Sequence, residues 1–229
     1  MQLRVSEVFQ SVQGEGVSLG EPCVFLRFAL CNLRCSWCDT KYTWDFSQYR
    51  YEDEVKHWSL TETRAALERA GLTDTQRLVI TGGEPLIQSA GIEALLAELP
   101  RAVVVEVETN GTFAPSVKLA ARVDQWNVSP KLAHGGDPAH RRLRPEALAA
   151  LMATGRAWLK LVVMDTDDTE ELLELARGWP ASRVLLMPQA TSREELAERL
   201  PAVQALAAEL GFNACTRLHI ERWGGKRGV

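Results

Sequence analysis

Short runs rich in β-branched and aromatic residues recur along the 229-residue chain, and segments with helical spacing separate most of them. The runs fall at 5–9, 24–30, 78–81, 103–108, 125–128, 158–163, 184–187 and 217–220. Strands that alternate with helices can run parallel only by right-handed crossovers, so the pattern predicts βαβ units. Ser59 with Glu62 reads as a capping box ahead of Ala65, Ala66 and Leu67; Ser192 with Glu195 reads the same way before an amphipathic stretch ending near Gly211. The units number roughly six, too few to close an eightfold barrel and enough for an open one. The expected fold is therefore α/β: a partial, open TIM-like β/α barrel with mostly parallel strands, one domain over 1–229, closed by its C-terminal tail. Residues 40–58 look least regular and read as a lid or insertion. Residues 130–145, with Gly135-Gly136, read as a second loop.

Apolar residues make up 46% of the chain and charged ones 24%, the balance of a packed globular protein. A net charge of -4 without a lysine or arginine run excludes a broad basic surface for nucleic acid, while leaving room for a local basic pocket. No apolar run approaches the ~20 residues of a membrane span. The start, Met1 to Glu7, lacks a signal-peptide stretch. A soluble, cytoplasmic protein without membrane or nucleic-acid partners is expected.

Of five cysteines, three lie in Cys31-Asn32-Leu33-Arg34-Cys35-Ser36-Trp37-Cys38-Asp39-Thr40, directly after the run at 24–30. An odd, clustered set argues against a disulfide scaffold and for metal-bound thiolates. Cys23 and Cys215 sit in apolar segments and read as small buried groups. In parallel α/β folds, active sites gather where strands end. Three thiolates on a four-iron cluster leave one iron open, and an amino acid's amine and carboxylate can chelate it; the methionine part of S-adenosylmethionine has both. A zinc site is the alternative: Cys35 and Cys38 form a half-site that Cys23, His57 or another residue could complete. On the cysteines alone both remain open.

The Cys-x3-Cys-x2-Cys spacing, followed at the next strand end by Thr81-Gly82-Gly83-Glu84-Pro85, resembles the radical S-adenosylmethionine superfamily. Two glycines let the backbone approach a cofactor closely, and Glu84 can accept from the methionine ammonium. Glu108 and Asn110 fall where the superfamily contacts ribose or substrate. Ser129, Pro130 and Lys131 mark the next strand end, and Gln189 the adenine end.

Ahead of these lies Val12-Gln13-Gly14-Glu15-Gly16, then Arg27-Phe28 before Cys31. An acid and an amide suit the N–H edge of a pterin, and a guanidinium suits a carboxylate on that ring. Together with Cys38-Asp39-Thr40, Glu108-Thr109-Asn110-Gly111 and Ser129-Pro130-Lys131, these motifs are similar to those of the 7-carboxy-7-deazaguanine synthase family over nearly the whole chain. The resemblance implies conversion of 6-carboxy-5,6,7,8-tetrahydropterin to 7-carboxy-7-deazaguanine with loss of ammonia, on the route to queuosine and related deazapurines. A reduced cluster would split S-adenosylmethionine, and the 5′-deoxyadenosyl radical would take hydrogen from the pterin carbon bearing the carboxylate, the cofactor being regenerated. It implies a [4Fe-4S] cluster on Cys31, Cys35 and Cys38, S-adenosylmethionine, and Mg2+ on Thr40. Substrate contacts would be Val12, Gln13, Gly14, Glu15, Arg27, Thr81 and the terminus at Val229. Cofactor contacts would be Trp37, Cys38, Asp39, Gly83, Glu84, Glu108, Asn110, Ser129, Pro130, Lys131 and Gln189. The resemblance further implies a reductant protein such as flavodoxin or ferredoxin, and a homodimer. The tail departs from the family's Gln-x-His pattern: Glu221 and Trp223 occupy the expected places, and His219 is expected on a strand face. Gly224-Gly225 reads as a hinge for a closing tail. The competing readings are an activase that makes a glycyl radical on a partner protein, and a non-catalytic metal-binding protein.

Overall fold

The computed structural model describes residues 1–73, 76–164 and 168–229. Its strands are β1 (Gln2–Val12), β2 (Pro22–Phe28), β3 (Lys56–Ser59), β4 (Arg77–Gly82), β5 (Val104–Thr109), β6 (Gln125–Val128), β7 (Ala157–Val163), β8 (Val184–Pro188) and β9 (Asn213–Ala214). They form one sheet in the order β3-β1-β2-β4-β5-β6-β7-β8-β9. From β2 to β9 the neighbours run parallel, whereas β1 is antiparallel to β2 and β3. Two different strands stand at the edges, so the barrel is open, as the alternation predicts.

Helices α1 (Tyr51–Glu54), α2 (Leu60–Arg69), α3 (Ser89–Glu98), α4 (Val117–Arg122), α5 (Ala139–Arg142), α6 (Pro145–Met152), α7 (Thr169–Ala176), α8 (Arg193–Leu210) and α9 (Leu218–Trp223) fill the connections and the end of the chain. The capping box at α2 forms in full: the Glu62 N–H donates to the Ser59 hydroxyl (3.2 Å) and the Ser59 N–H to the Glu62 carboxylate (2.7 Å). At α8 only half forms. Ser192 accepts from the Glu195 N–H, but the Glu195 carboxylate turns to Thr191 instead. No described helix is long and apolar enough to cross a membrane.

Period-two alternation sorts the strands into two faces. Val24, Leu26 and Phe28 of β2, Leu78 and Ile80 of β4, Val105 and Val107 of β5, and Trp126 of β6 enter one large apolar core beneath the helices. Leu159, Leu161, Val184 and Leu186 continue it against α7 and α8. Each such side chain, fully buried, stabilises the fold by about 1.5–3 kcal/mol. The residues between them, Arg27, Thr81, Glu106, Glu108, Asn127 and Lys160, therefore point to the concave face. Phe25, Val162 and Met187 share that face, so charged and polar groups stand there among apolar ones.

The stretch expected to be irregular contains α1 and β3. Residues 217–220, expected as a strand, are not one; α9 begins there at Leu218 and the two residues of β9 take the sheet edge. A polar–apolar alternation of four residues cannot separate strand from helix. The Leu218 N–H donates to the Gly14 carbonyl (2.9 Å), and Ile220 packs with Ala190 and Leu196, fixing the segment as a helix laid across the strand ends.

Candidate active site

The concave face opens into a cavity of about 710 Å³ that the cysteine loop, the ends of β4 and β5, α9 and the C-terminal tail all border. At one end stand Cys31, Cys35 and Cys38. Leu30, just before them, holds a left-handed φ of 77°, a strained conformation for a branched side chain. The glycines at the end of β4, Gly82 and Gly83, are required by this turn. A Cβ on Gly82, whose φ is 140°, would lie 2.2 Å from the Phe28 carbonyl oxygen; one on Gly83 would lie 2.1 Å from that of Leu30. They let β4 close on the root of the cysteine loop.

The donor set fits an iron–sulfur cluster. The Leu33 N–H donates to the Cys31 sulfur (3.4 Å) and the Trp44 indole N–H to the Cys38 sulfur (3.3 Å). Such donors stabilise thiolate and tune cluster sulfur. Burial pushes the Cys31 thiol up to about 12 and raises that of Cys35, so metal binding there must displace protons. Zinc fits poorly. A single tetrahedral ion needs four ligands converging on one point, and among the described residues no group of three or more His, Cys, Asp or Glu side chains is placed to hold such an ion. Cys23 packs with Phe25 and Val79, and His57 pairs with the Tyr51 hydroxyl; neither borders the cavity.

Trp37, Asp39, Thr40, Gly83, Glu108, Asn110, Ser129 and Lys131 border the cavity beside the cysteines. The Trp37 indole donates to His134 Nδ1 (2.8 Å), and Lys131 donates to the Ser129 hydroxyl (2.9 Å). Three residues expected there do not border it. Glu84 is fully buried, its carboxylate accepting from the Leu86 N–H (2.9 Å), the Thr109 hydroxyl (2.8 Å) and the Asn110 N–H (2.7 Å). These three bonds bracket β4 to β5. Pro130 lies behind the lining, and Gln189 is held by Arg199; Met187 and Thr191 face the cavity from that segment.

The opposite end is dense in charge. The Glu15 carboxylate, beside Gly14, accepts from Lys160 (2.6 Å) and Arg217 (3.0 Å). Burial opposes its ionisation, but these two cations outweigh burial and hold it well below the usual carboxylate range. Arg217 also pairs with Asp39, crossing from this end to the cysteine loop. Gln13 borders the cavity with its amide occupied. Its NH2 donates to Glu106 (2.7 Å) and Glu108 (3.3 Å), and its oxygen accepts the Glu15 N–H (3.1 Å). The Thr81 hydroxyl donates to Glu108 (2.7 Å). Arg27 donates through Nε to Glu7 (2.7 Å), while among the described residues its outer nitrogens carry no hydrogen bond. Val12 and Val229 complete the rim.

Sequence reasoning missed Glu7, Tyr42, Lys160, Arg217, His219 and Arg227, all of which meet at this end. A lysine between Leu159 and Leu161 on a buried strand was the available signal for Lys160. His219 is not on a strand face; it rides on α9 over Gly14, where a Cβ would lie 2.4 Å from its Nδ1. Gly14 is thus the seat for the tail helix.

Three thiols on the loop after β2, at the mouth of an open, mostly parallel barrel, are the arrangement of a radical S-adenosylmethionine enzyme. A model of the Radical SAM superfamily matches residues 26–131, from the end of β2 to Lys131. Over its whole length the chain is similar to the 7-carboxy-7-deazaguanine synthases of Pyrobaculum aerophilum (41% identical, covering 99% of this chain and 97% of the relative) and Hyperthermus butylicus (36% identical, 95% and 92%). A crystal structure of QueE from Escherichia coli superposes with a TM-score of 0.70 at 26% identity, covering 96% of this chain and 95% of that one. The chain belongs to the 7-carboxy-7-deazaguanine synthase family.

Proposed function

We propose that this chain converts 6-carboxy-5,6,7,8-tetrahydropterin to 7-carboxy-7-deazaguanine with release of ammonia. The observation that carries the reading is that three cluster-competent cysteines and the ion-paired Glu15, Lys160 and Arg217 border one cavity, whose volume lies in the ~300–1,000 Å³ range of small-molecule sites. When bound, a reduced [4Fe-4S] cluster and S-adenosylmethionine supply the radical that begins the reaction.

The chain's own residues orient the substrate. The outer nitrogens of Arg27 suit the pterin carboxylate as a fork. The Glu15 carboxylate, held ionised by Lys160 and Arg217, keeps lone pairs for ring N–H groups. Val12, Gly14 and Thr81 pack the ring, Gln13 fastens the Glu15 turn, and the tail with Val229 excludes water from the mouth. His219 stays neutral at pH 7, since burial lowers its pKa from 6.5, and can accept or donate one hydrogen bond.

At the cofactor end, Trp37, Cys38, Asp39, Gly83, Glu108, Asn110, Ser129 and Lys131 hold S-adenosylmethionine. Thr40, whose hydroxyl lies 3.6 Å from the Cys38 sulfur, offers one oxygen to Mg2+, an ion that keeps most of its waters. The whole chain acts as one catalytic unit. The reading also entails an electron-donor protein such as flavodoxin or ferredoxin, and a homodimer.

The test is mass spectrometry after anaerobic reconstitution, reduction and addition of the carboxytetrahydropterin. Deazaguanine with ammonia supports the reading; cofactor cleavage without either moves the chain to a different radical reaction.

A further inference from the structure

Strand β1 carries a bulge that places one acid on the concave face. Val5 stands opposite Phe28 and Glu7 opposite Arg27, so Ser6 is the extra residue. Without it, strict alternation would leave Val5 and Glu7 on the same side, and Glu7 would enter the apolar core that Val5 occupies. Bulges re-aim side chains in this way. This one leaves the buried Ser6 hydroxyl without a hydrogen-bond partner among the described residues, a cost that packing alone does not require.

The carboxylate so placed joins three elements. One oxygen accepts from Arg27 Nε (2.7 Å) and from the Tyr42 hydroxyl (2.8 Å); the other accepts from Arg227 Nε (3.1 Å). Arg227 belongs to the C-terminal tail. Its guanidinium lies 3.7 Å from the Tyr42 ring centroid and pairs with Glu54 at 2.7 Å. Gly224 and Gly228, both at positive φ, flank this fastening point, and residues 224–229 border the cavity. Tail and anion fork thus share one carboxylate.

We propose that Glu7 is a positioning residue that couples the two: it sets the Arg27 fork toward the substrate's anionic group and, through Arg227, latches the tail across the cavity mouth. The proposal deepens the functional reading above and rests on Arg27 as the carboxylate partner. Burial works against the charge on Glu7, yet Arg27, Tyr42 and Arg227 together keep its pKa below the ordinary 4.5, so the joint is ionised at neutral pH. Fixing Arg27 by its Nε leaves a planar pair of N–H donors aimed one way, and less side-chain entropy is lost when the anion binds.

The experiment uses the reconstituted, unreduced protein with S-adenosylmethionine bound, so that binding is read without turnover. Two quantities are measured: carboxytetrahydropterin affinity by calorimetry, and amide hydrogen exchange of residues 224–229 by mass spectrometry. Glu7→Gln should weaken pterin binding about tenfold or more, the size of a lost charge-assisted contact, leave S-adenosylmethionine affinity unchanged, and speed tail exchange. Arg227→Gln, a change in the tail that leaves β1 intact, should move both readouts in the same direction. The double variant should bind no worse than Glu7→Gln alone. Wild-type pterin affinity in Glu7→Gln, or losses that multiply in the double variant, would overturn the coupling if Arg27→Ala still loses the pterin. Wild-type affinity in Arg27→Ala would overturn the substrate reading itself and the proposal with it.

Discussion

At the cysteine end of the cavity, consecutive residues 31–40 supply the thiols and much of the wall, held by N–H donors to sulfur and a strained Leu30. At the other end Glu7, Glu15, Arg27, Lys160, Arg217 and Arg227 come from β1, the loop that follows it, β2, β7 and the C-terminal segment, and each charge meets an opposite one. At the first end burial keeps the Cys31 and Cys35 thiols protonated until metal displaces the protons. The second is assembled by ion pairs that need no ligand, so its donors and acceptors are oriented before substrate arrives. A site can thus be half completed by its cofactor and half by the fold. The Arg217 guanidinium, shared between Glu15 and Asp39, is where the halves touch.

The largest expected effect breaks the first half alone. Cys35→Ala should abolish bound iron, brown colour and S-adenosylmethionine cleavage, while circular dichroism stays that of the wild type, because the charged end does not depend on the cluster. Next in size, Lys160→Met leaves Glu15 short of a partner in a buried setting and should lower stability by about 3 kcal/mol in denaturant unfolding. Iron content measured after reconstitution of the folded fraction should be unchanged. Arg27→Ala should reduce kcat/KM for the pterin about a hundredfold, roughly 2.7 kcal/mol, with uncoupled cofactor cleavage retained.

The smallest effect is a slope. Glu15 has its pKa lowered below 4.5 in the folded protein, so the unfolded chain binds its proton first as pH falls. The stability it contributes is complete above pH 4.5 and disappears as pH drops through the lower folded value. Thermal unfolding followed from pH 7 to pH 3 should show wild type losing stability below about 4.5, with a shallower loss in Glu15→Gln.

The same contrast explains what could be read in the sequence. The cysteine loop and the Thr81-Gly82-Gly83-Glu84-Pro85 turn are contiguous, so their spacing alone points to the chemistry. Even there the residue type did not reveal every partner: the Glu84 carboxylate also binds the backbone of its own turn and the end of β5. The charged end depends on register and on the path of the tail. The Ser6 bulge that carries Glu7 to the concave face shows in the sequence only as an acid two residues after the core Val5, which does not reveal its partners, and the alternation at 217–220 reads as a strand where the tail builds α9. Lys160 was more accessible, because a lysine amid Leu159 and Leu161 demands a buried partner. The fold was legible because the strands' apolar faces repeat; the antiparallel β1 was not, since nothing local sets strand direction.

Both halves are tested together by placing deuterium on the pterin carbon that bears the carboxylate and turning over the reduced, anaerobic enzyme. If the cysteines and Arg27 serve one cavity, the label should pass to the 5′ carbon of the recovered S-adenosylmethionine as deazaguanine forms. Cofactor cleavage with every deuteron left on the pterin would contradict a shared site.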